Sequence, residues 1–347
     1  MTAPRILAFG EIMLRLSPPG RELLLQTPRF DVWVAGAEAN VATQLALLGH
    51  QVGFASRVPD NDLGRAAIAR LRGAGVDVRH IATGGERMGL YFVTNGAGLR
   101  ATEVVYDRAG SAFAEAPAES WDWDRLLDGV TRLHLSGITP ALGPVPARSA
   151  LAAVEAAAAR DIAISFDGNW RGKLWGRWDG DPRAILSGIV AHADLMFGNH
   201  RDIALLLGRD DFAGEGRRRE AAEAAFDAFP KLKTIASTAR AVAHVDLHRL
   251  SARIDTRDGA AQTEEIELAG IVDRVGGGDA FAAGVLHAFE SGQDIAAAAH
   301  GRAQTLDPRR CRAVPSGRHR RFPRRRARCP AVTAGPGAAR SGQGRRC

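Results

Sequence analysis

The chain has 347 residues, enough for two domains of ordinary size or one large domain carrying an insertion. At 46% hydrophobic and 24% charged, it is not collagen-like, mucin-like or wholly disordered. No run approaches the roughly 18–20 consecutive apolar residues that span a bilayer. The formal net charge of +7 is unevenly placed: residues 301–347 hold 14 Arg, no Lys and one acid, a net of +13, which leaves −6 for residues 1–300. A high isoelectric point is therefore no sign that the body binds nucleic acid. All three cysteines, Cys311, Cys329 and Cys347, lie in the same basic stretch, so no disulfide scaffold is implied. Met1–Phe9 lacks a basic segment followed by an apolar one, so no signal peptide is expected and the expected setting is the cytoplasm.

The body alternates short apolar runs with helical periodicity. Arg5–Phe9 (RILAF) predicts a strand, Glu38–Leu48 a helix closed by Gly49, and Gln51–Ser56 a strand. Leu63–Leu71 predicts a helix entered through the cap residues of Pro59–Asp62. Strand Arg132–Leu135, helix Pro146–Arg160, strand Ile162–Phe166, helix Pro182–Ala191 and strand Leu195–Phe197 follow. A strand near Thr234–Ala236 and a helix over Asp279–Glu290 complete the series. This alternation predicts an α/β fold with a mostly parallel sheet covered by helices on both faces. Two segments break the rhythm. Met13–Val34 and Met88–Tyr106 read as antiparallel strands, expected to form a small β-sheet lid, within about 13–35 and 86–110, over the carboxyl ends of the parallel strands.

Asp273-Arg-Val-Gly-Gly-Gly-Asp-Ala-Phe281 is the most informative stretch. Three glycines before a helix free backbone N–H groups to face an anion, and the helix dipole favours negative charge there. Asp279, in the first turn, suits a base that takes a proton from an attacking hydroxyl. A glycine-rich loop with an acidic cap is the plain alternative. No G-x-x-x-x-G-K-[ST] loop is present.

DRVGGGDAFAAG, with FGEIMLRLSPPG (Phe9–Gly20), GAEANVA (Gly36–Ala42) and RVPDNDLG (Arg57–Gly64), resembles the ribokinase-like (PfkB) carbohydrate kinases. GLYFV (Gly89–Val93), VVYDRAGSA (Val104–Ala112), LHLSGITPAL (Leu133–Leu142) and DGNWRGKLW (Asp167–Trp175) resemble its 2-keto-3-deoxygluconate kinase branch. The resemblance runs from about Arg5 to about Ala299. It implies a core with a β-lid and ATP-dependent, Mg²⁺-assisted phosphorylation of the terminal primary hydroxyl of 2-keto-3-deoxygluconate or a related sugar acid. It further implies Asp279 as catalytic base, Gly276, Gly277 and Gly278 as anion hole, and Asn199 on the nucleotide side. Gly36, Tyr91, Tyr106, Asp107, Arg108 and Arg171 fall on the sugar side.

Guanidinium fits a sugar-acid carboxylate, which gives Arg108 and Arg171 independent chemical sense; each also reads as one surface arginine among many. Tyr91 and Tyr106 read equally as lid packing or as hydroxyl donors. Glu38 and Asn40 read as caps of the first helix or as residues that order the sugar pocket, with capping and packing expected of Glu38; Trp170, Trp175 and Trp178 are expected to anchor core and loop. No histidine cluster suggests a protein-held metal. No membrane partner is expected, and assembly into a homo-oligomer stays open. Two departures stand out. The family's Gly-containing loop after the strand near Thr234 reads Ala-Ser-Thr-Ala-Arg240 here. After a helix expected over Asp294–His300, the chain turns abruptly Arg-rich, so residues 1–300 are expected to be the α/β unit and 301–347 a frameshifted ending; a native basic, disordered tail is the alternative. The rival readings of function are another sugar or nucleoside kinase of the same fold, and an impaired chain whose tail binds nucleic acid.

Overall fold

The computed structural model describes residues 5–293 apart from 98–99, 215, 245–246 and 272. The helix expected over Asp294–His300 and the Arg-rich tail lie outside the described residues. In chain order the elements are β1 (Ile6–Phe9), β2 (Met13–Ser17), β3 (Asp31–Ala35), α1 (Ala37–Leu47), β4 (Val52–Val58), α2 (Asp62–Gly73), β5 (Ile81–Thr83), β6 (Gly89–Thr94) and β7 (Glu103–Asp107). Next come α3 (Trp123–Leu126), β8 (Arg132–Ser136), α4 (Pro144–Ala158), β9 (Ala163–Asp167), α5 (Gly172–Trp175), α6 (Pro182–Val190), β10 (Leu195–Phe197), α7 (His200–Leu207) and α8 (Arg218–Ala228). The described chain closes with β11 (Thr234–His244), β12 (Leu247–Thr256), β13 (Ala260–Gln262), β14 (Ile266–Ala269) and α9 (Gly277–Glu290).

The main sheet grows outward from β1, whose four residues are all buried. Leu7 and Phe9 enter one core and Ile6 and Ala8 the other, as a central strand covered on both faces requires. The strand order is β13-β12-β11-β10-β9-β8-β1-β4-β5, parallel from β11 through to β5. Helices α1, α2 and α9 cover one face, while α4, α6, α7 and α8 cover the other. The last strands are antiparallel: β11 and β12 form a long hairpin, and β13 and β14 both pair with β12.

A separate four-stranded sheet has the order β3-β2-β6-β7. Its hairpins β2–β3 and β6–β7 are antiparallel as expected, but β2 and β6 run parallel. Both strands leave the main sheet at the same edge, so they start side by side and point the same way.

α9 is held at both ends. At its far end Glu290 accepts from Arg132 Nε (2.7 Å) at the start of β8, and Arg132 Nη1 reaches Asp194 (3.3 Å). Its near end therefore meets the carboxyl edge of the sheet, where β1, β8, β9 and β10 run into Glu11, Ser136, Asp167 and Asn199.

Candidate active site

The start of α9 is built for an anion. Gly276 is left-handed (φ 86°) and opens the helix. No described atom lies within 4 Å of where a Cβ would stand at Gly277 or Gly278, so among the described residues open space fronts the loop. The Gly277 N–H is spent on the Arg274 carbonyl (3.3 Å), whereas those of Gly278 and Asp279 meet no protein acceptor among the described residues. Asp279 Oδ2 accepts from Asn40 Nδ2 of α1 at 2.6 Å. Burial pushes the Asp279 carboxyl up to about 6, against the opposing pull of the Asn40 hydrogen bond and Arg171. A base with that value is ionised near neutrality yet can still hold a proton.

Three more carboxylates share this edge. Burial pushes Asp167, at the end of β9, up to about 8, with Asp279 and Asp202 adding to the rise and Arg171 opposing it. Asp202 is also raised by burial, against the N–H of Asn199. Glu38 is buried, and Oε1 accepts from Ser136 N (3.1 Å), Ser136 Oγ (2.6 Å) and Thr139 Oγ1 (3.3 Å). Its value rises to about 7, chiefly through burial. Glu38 therefore does not cap α1, whose N-cap is Gly36 without a side-chain bond. Instead it orders the end of β8, and Gly10 leaves room for its carboxyl group.

The small sheet supplies the other wall. Side chains alternate along each strand, and Arg15, Tyr91 and Tyr106 share one face by register. The Tyr91 and Tyr106 rings lie 6.0 Å apart. Burial pushes Tyr91 up to about 12, so it stays a hydroxyl donor, and it feels the charges of Arg15, Asp279 and Asp273. Arg15 forms an ion pair with Asp273 (2.5 Å), tying this face to the loop before α9. Arg108 is buried; its Nε donates to Glu11 Oε2 at 2.8 Å and its Nη2 to the same oxygen. Gly36 has φ 152°, and a Cβ there would overlap the Glu11 carbonyl. Arg171 Nη1 donates to the Trp170 carbonyl (3.0 Å) and acts electrostatically on Asp279, Asp167 and Asp202. The stacked rings of Trp170, Trp175 and Trp178 anchor its segment.

Asp279, Gly278, Arg171, Gly36, Tyr91, Tyr106 and Arg108 thus converge on the carboxyl edge. Two expected residues are otherwise engaged. Asp107 is exposed and ion-paired with Arg87 at 2.8 Å, on the face opposite Tyr106. Asn199 caps α7: its Oδ1 accepts from Arg201 N (2.8 Å) while its own N–H donates to Asp202 (2.7 Å). Glu11, Arg15, Asp167 and Asp202 were not singled out from the sequence. For Glu11 and Asp167 the available signal was an acid at or two residues past the end of an apolar strand, as in Phe9-Gly-Glu11 and Phe166-Asp167. Among the described residues no group of three or more His, Cys, Asp or Glu forms a protein-only metal site. No described helix is long and apolar enough to cross a membrane.

An α/β sheet with an anion-binding helix start, a raised carboxyl beside it and a small sheet facing both defines a phosphotransferase-like site. Residues 3–301 match the pfkB family carbohydrate kinases, and the chain belongs to that family. It is 33% identical over 210 residues to the 2-dehydro-3-deoxygalactonokinase of Haloferax volcanii, covering 60% of this chain and 65% of that protein. It is 31% identical over 208 residues to the 2-dehydro-3-deoxygluconokinase of Thermoproteus tenax, covering 59% and 62%. The matches thus span just under two thirds of these two relatives. The crystal structure of the 2-dehydro-3-deoxygluconokinase of Thermotoga maritima superposes with a TM-score of 0.81 at 35% identity, over 88% of this chain and 93% of that one. The fold is ribokinase-like, a large mostly parallel sheet with helices and a small separate sheet.

Proposed function

We propose that this chain is an ATP-dependent kinase that phosphorylates the terminal primary hydroxyl of 2-keto-3-deoxygluconate or a closely related sugar acid. The observation that carries the reading is Asp279. Its part-buried carboxyl group, at about 6, stands beside two N–H groups that meet no protein acceptor among the described residues, at a helix N-terminus. In this reading Asp279 takes the proton of the acceptor hydroxyl as its oxygen attacks the terminal phosphoryl group. The N–H groups of Gly278 and Asp279, with the dipole of α9, stabilise the charge that builds on that group. The small sheet acts as the lid, with Tyr91 and Tyr106 against the sugar and water excluded beneath them. Arg171, which has no carboxylate hydrogen-bond partner among the described residues, reads the sugar-acid carboxylate. Residues 1–300 work as one catalytic unit.

The donor set suits Mg²⁺ held mainly by nucleotide phosphates. Asp167, Asp202 and Asp279 are all raised and feel one cation, Arg171, so added positive charge there is favourable. When bound, Mg²⁺ neutralises phosphate charge during transfer.

A coupled assay with ATP and a panel of sugar acids and their neutral counterparts tests the reading. Turnover should be confined to 2-keto-3-deoxy acids. Equal turnover of the neutral sugars would point to a general sugar kinase instead. Asp279→Asn should fold normally and lose on the order of 10²–10⁴ in kcat, the usual loss for a positioned base. An undiminished kcat would remove Asp279 from the role.

A further inference from the structure

The Glu11–Arg108 pair joins two chain crossings, the link from β1 to β2 and the exit from β7. Both side chains are only 2% exposed. Arg108 places both Nε and Nη2 on a single oxygen, Oε2. That leaves Glu11 Oε1 and Arg108 Nη1 buried, each without a hydrogen-bond partner among the described residues. Orphaned atoms of buried charged groups are costly and uncommon in native proteins, so a partner for them is expected.

Their surroundings say where that partner comes from. Glu11 Oε1 occupies the space a Cβ of Gly89 would take, and Gly89 shares the small-sheet face of Tyr91. Arg108 lies 5.9 Å from the Tyr106 ring and acts on Glu38, which in turn feels Asp279. The two orphans therefore sit between the small sheet and the carboxyl edge.

We propose that Glu11 is an acceptor-binding residue: with Arg108 it forms a charge-neutral pair whose free acceptor, Oε1, and free donor, Nη1, take hydroxyl groups of the sugar and leave the substrate carboxylate to Arg171. This rests on the kinase reading above. The chemistry separates the two groups. A hydroxyl can accept from Nη1 or donate to Oε1, whereas a carboxylate can only accept and would be repelled by Glu11. Arg108 is already compensated by Glu11, which makes it a poor reader of a second carboxylate. Arg171 carries no such compensation by hydrogen bonding among the described residues.

Calorimetric binding with the full chain tests this without requiring turnover. The probes are 2-keto-3-deoxygluconate and its neutral analogue with a hydroxymethyl group in place of the carboxylate. Glu11→Gln should weaken the neutral analogue at least as much as the acid, by about 10- to 100-fold, the scale of hydrogen bonds to charged groups, and leave ATP binding unchanged. Arg171→Ala should weaken the acid alone. The double variant Glu11→Leu with Arg108→Met removes both charges and keeps the space filled, so it should melt like the parent chain and still lose acceptor binding. Acceptor binding that survives in the double variant, or a loss in Glu11→Gln confined to the acid, overturns the proposal and leaves the kinase reading standing. Failure of the unaltered chain to bind either acceptor overturns both.

Discussion

With Asp279 as the proposed base, its balance with Asn40 sets the pH at which the site is expected to work. Desolvation raises the carboxyl and the Asn40 amide, donating at 2.6 Å to the charged form, lowers it; the balance is about 6. A base must be ionised to accept a proton, so kcat/KM should rise through an acid limb near pH 6 and level off above it. Removing the donor removes a preference for the ionised form. Asn40→Leu should therefore move that limb to higher pH while leaving the plateau rate within reach. A pH–rate series on both proteins checks this, and a limb that stays put or moves down would mean that Asn40 does not tune the base. Tyr91, held up at about 12, should contribute no limb of its own below pH 9.

At the scale of elements, the site depends on where α1 and α9 begin. Gly36 starts α1 with φ 152°, a conformation open to few residues but glycine, and its missing Cβ admits the Glu11 carbonyl. Gly36→Ala should cost about 1–3 kcal/mol in strain, with the overlap added, and should weaken the acceptor more than ATP. Thermal melting and separate KM values decide it; an unchanged Tm would mean that the backbone relaxes freely there. The same elements explain what the sequence disclosed. β1, β8 and α9 announced themselves because they are apolar on the faces they bury, and the Gly276–Gly278 loop by its run of three glycines, of which Gly276 is left-handed. Strands β12 to β14 gave a weak signal: at the sheet edge their residues are only partly buried, and LHRLSARID mixes charge with apolar groups. Asp167 and Asp202 were hard to see because their meaning comes from distance in space, across β9 and α7, and not from spacing in the chain. Asp107 was placed on the sugar side by its neighbours, yet strand alternation turns it outward to Arg87.

For the whole molecule, the buried acids tie stability to pH. Asp279, Glu38 and Asp167 have folded values of about 6, 7 and 8, all above their ordinary values. Between the ordinary and the raised value these three groups bind more protons in the folded chain than in the unfolded one, so their contribution to stability falls as pH rises from about 4 to about 8; buried His134, lowered to about 3, opposes them only up to its ordinary value of 6.5. The ligand-free protein should melt lower at pH 8 than at pH 6, and Asp167→Asn should flatten that slope; an equal Tm at both values would contradict the burial argument. The family match ends at residue 301, where the composition breaks: 14 Arg and all three Cys fall within 47 residues that hold no Lys. Out-of-frame reading of GC-rich DNA yields text of this kind, rich in Arg, Pro, Gly, Ala and Cys. A native basic tail would also be charge-dense, but nothing in that alternative calls for the cysteines or for the break to coincide with the end of the match. Resequencing the coding DNA should reveal a single-base shift near codon 300 whose correction restores a helix–loop–helix ending. The corrected chain should melt at a higher temperature and phosphorylate its acceptor faster, because a further helix pair would bury apolar surface against the sheet. If no shift in that region restores such an ending, the frameshift reading fails and the Arg-rich segment is a native basic tail.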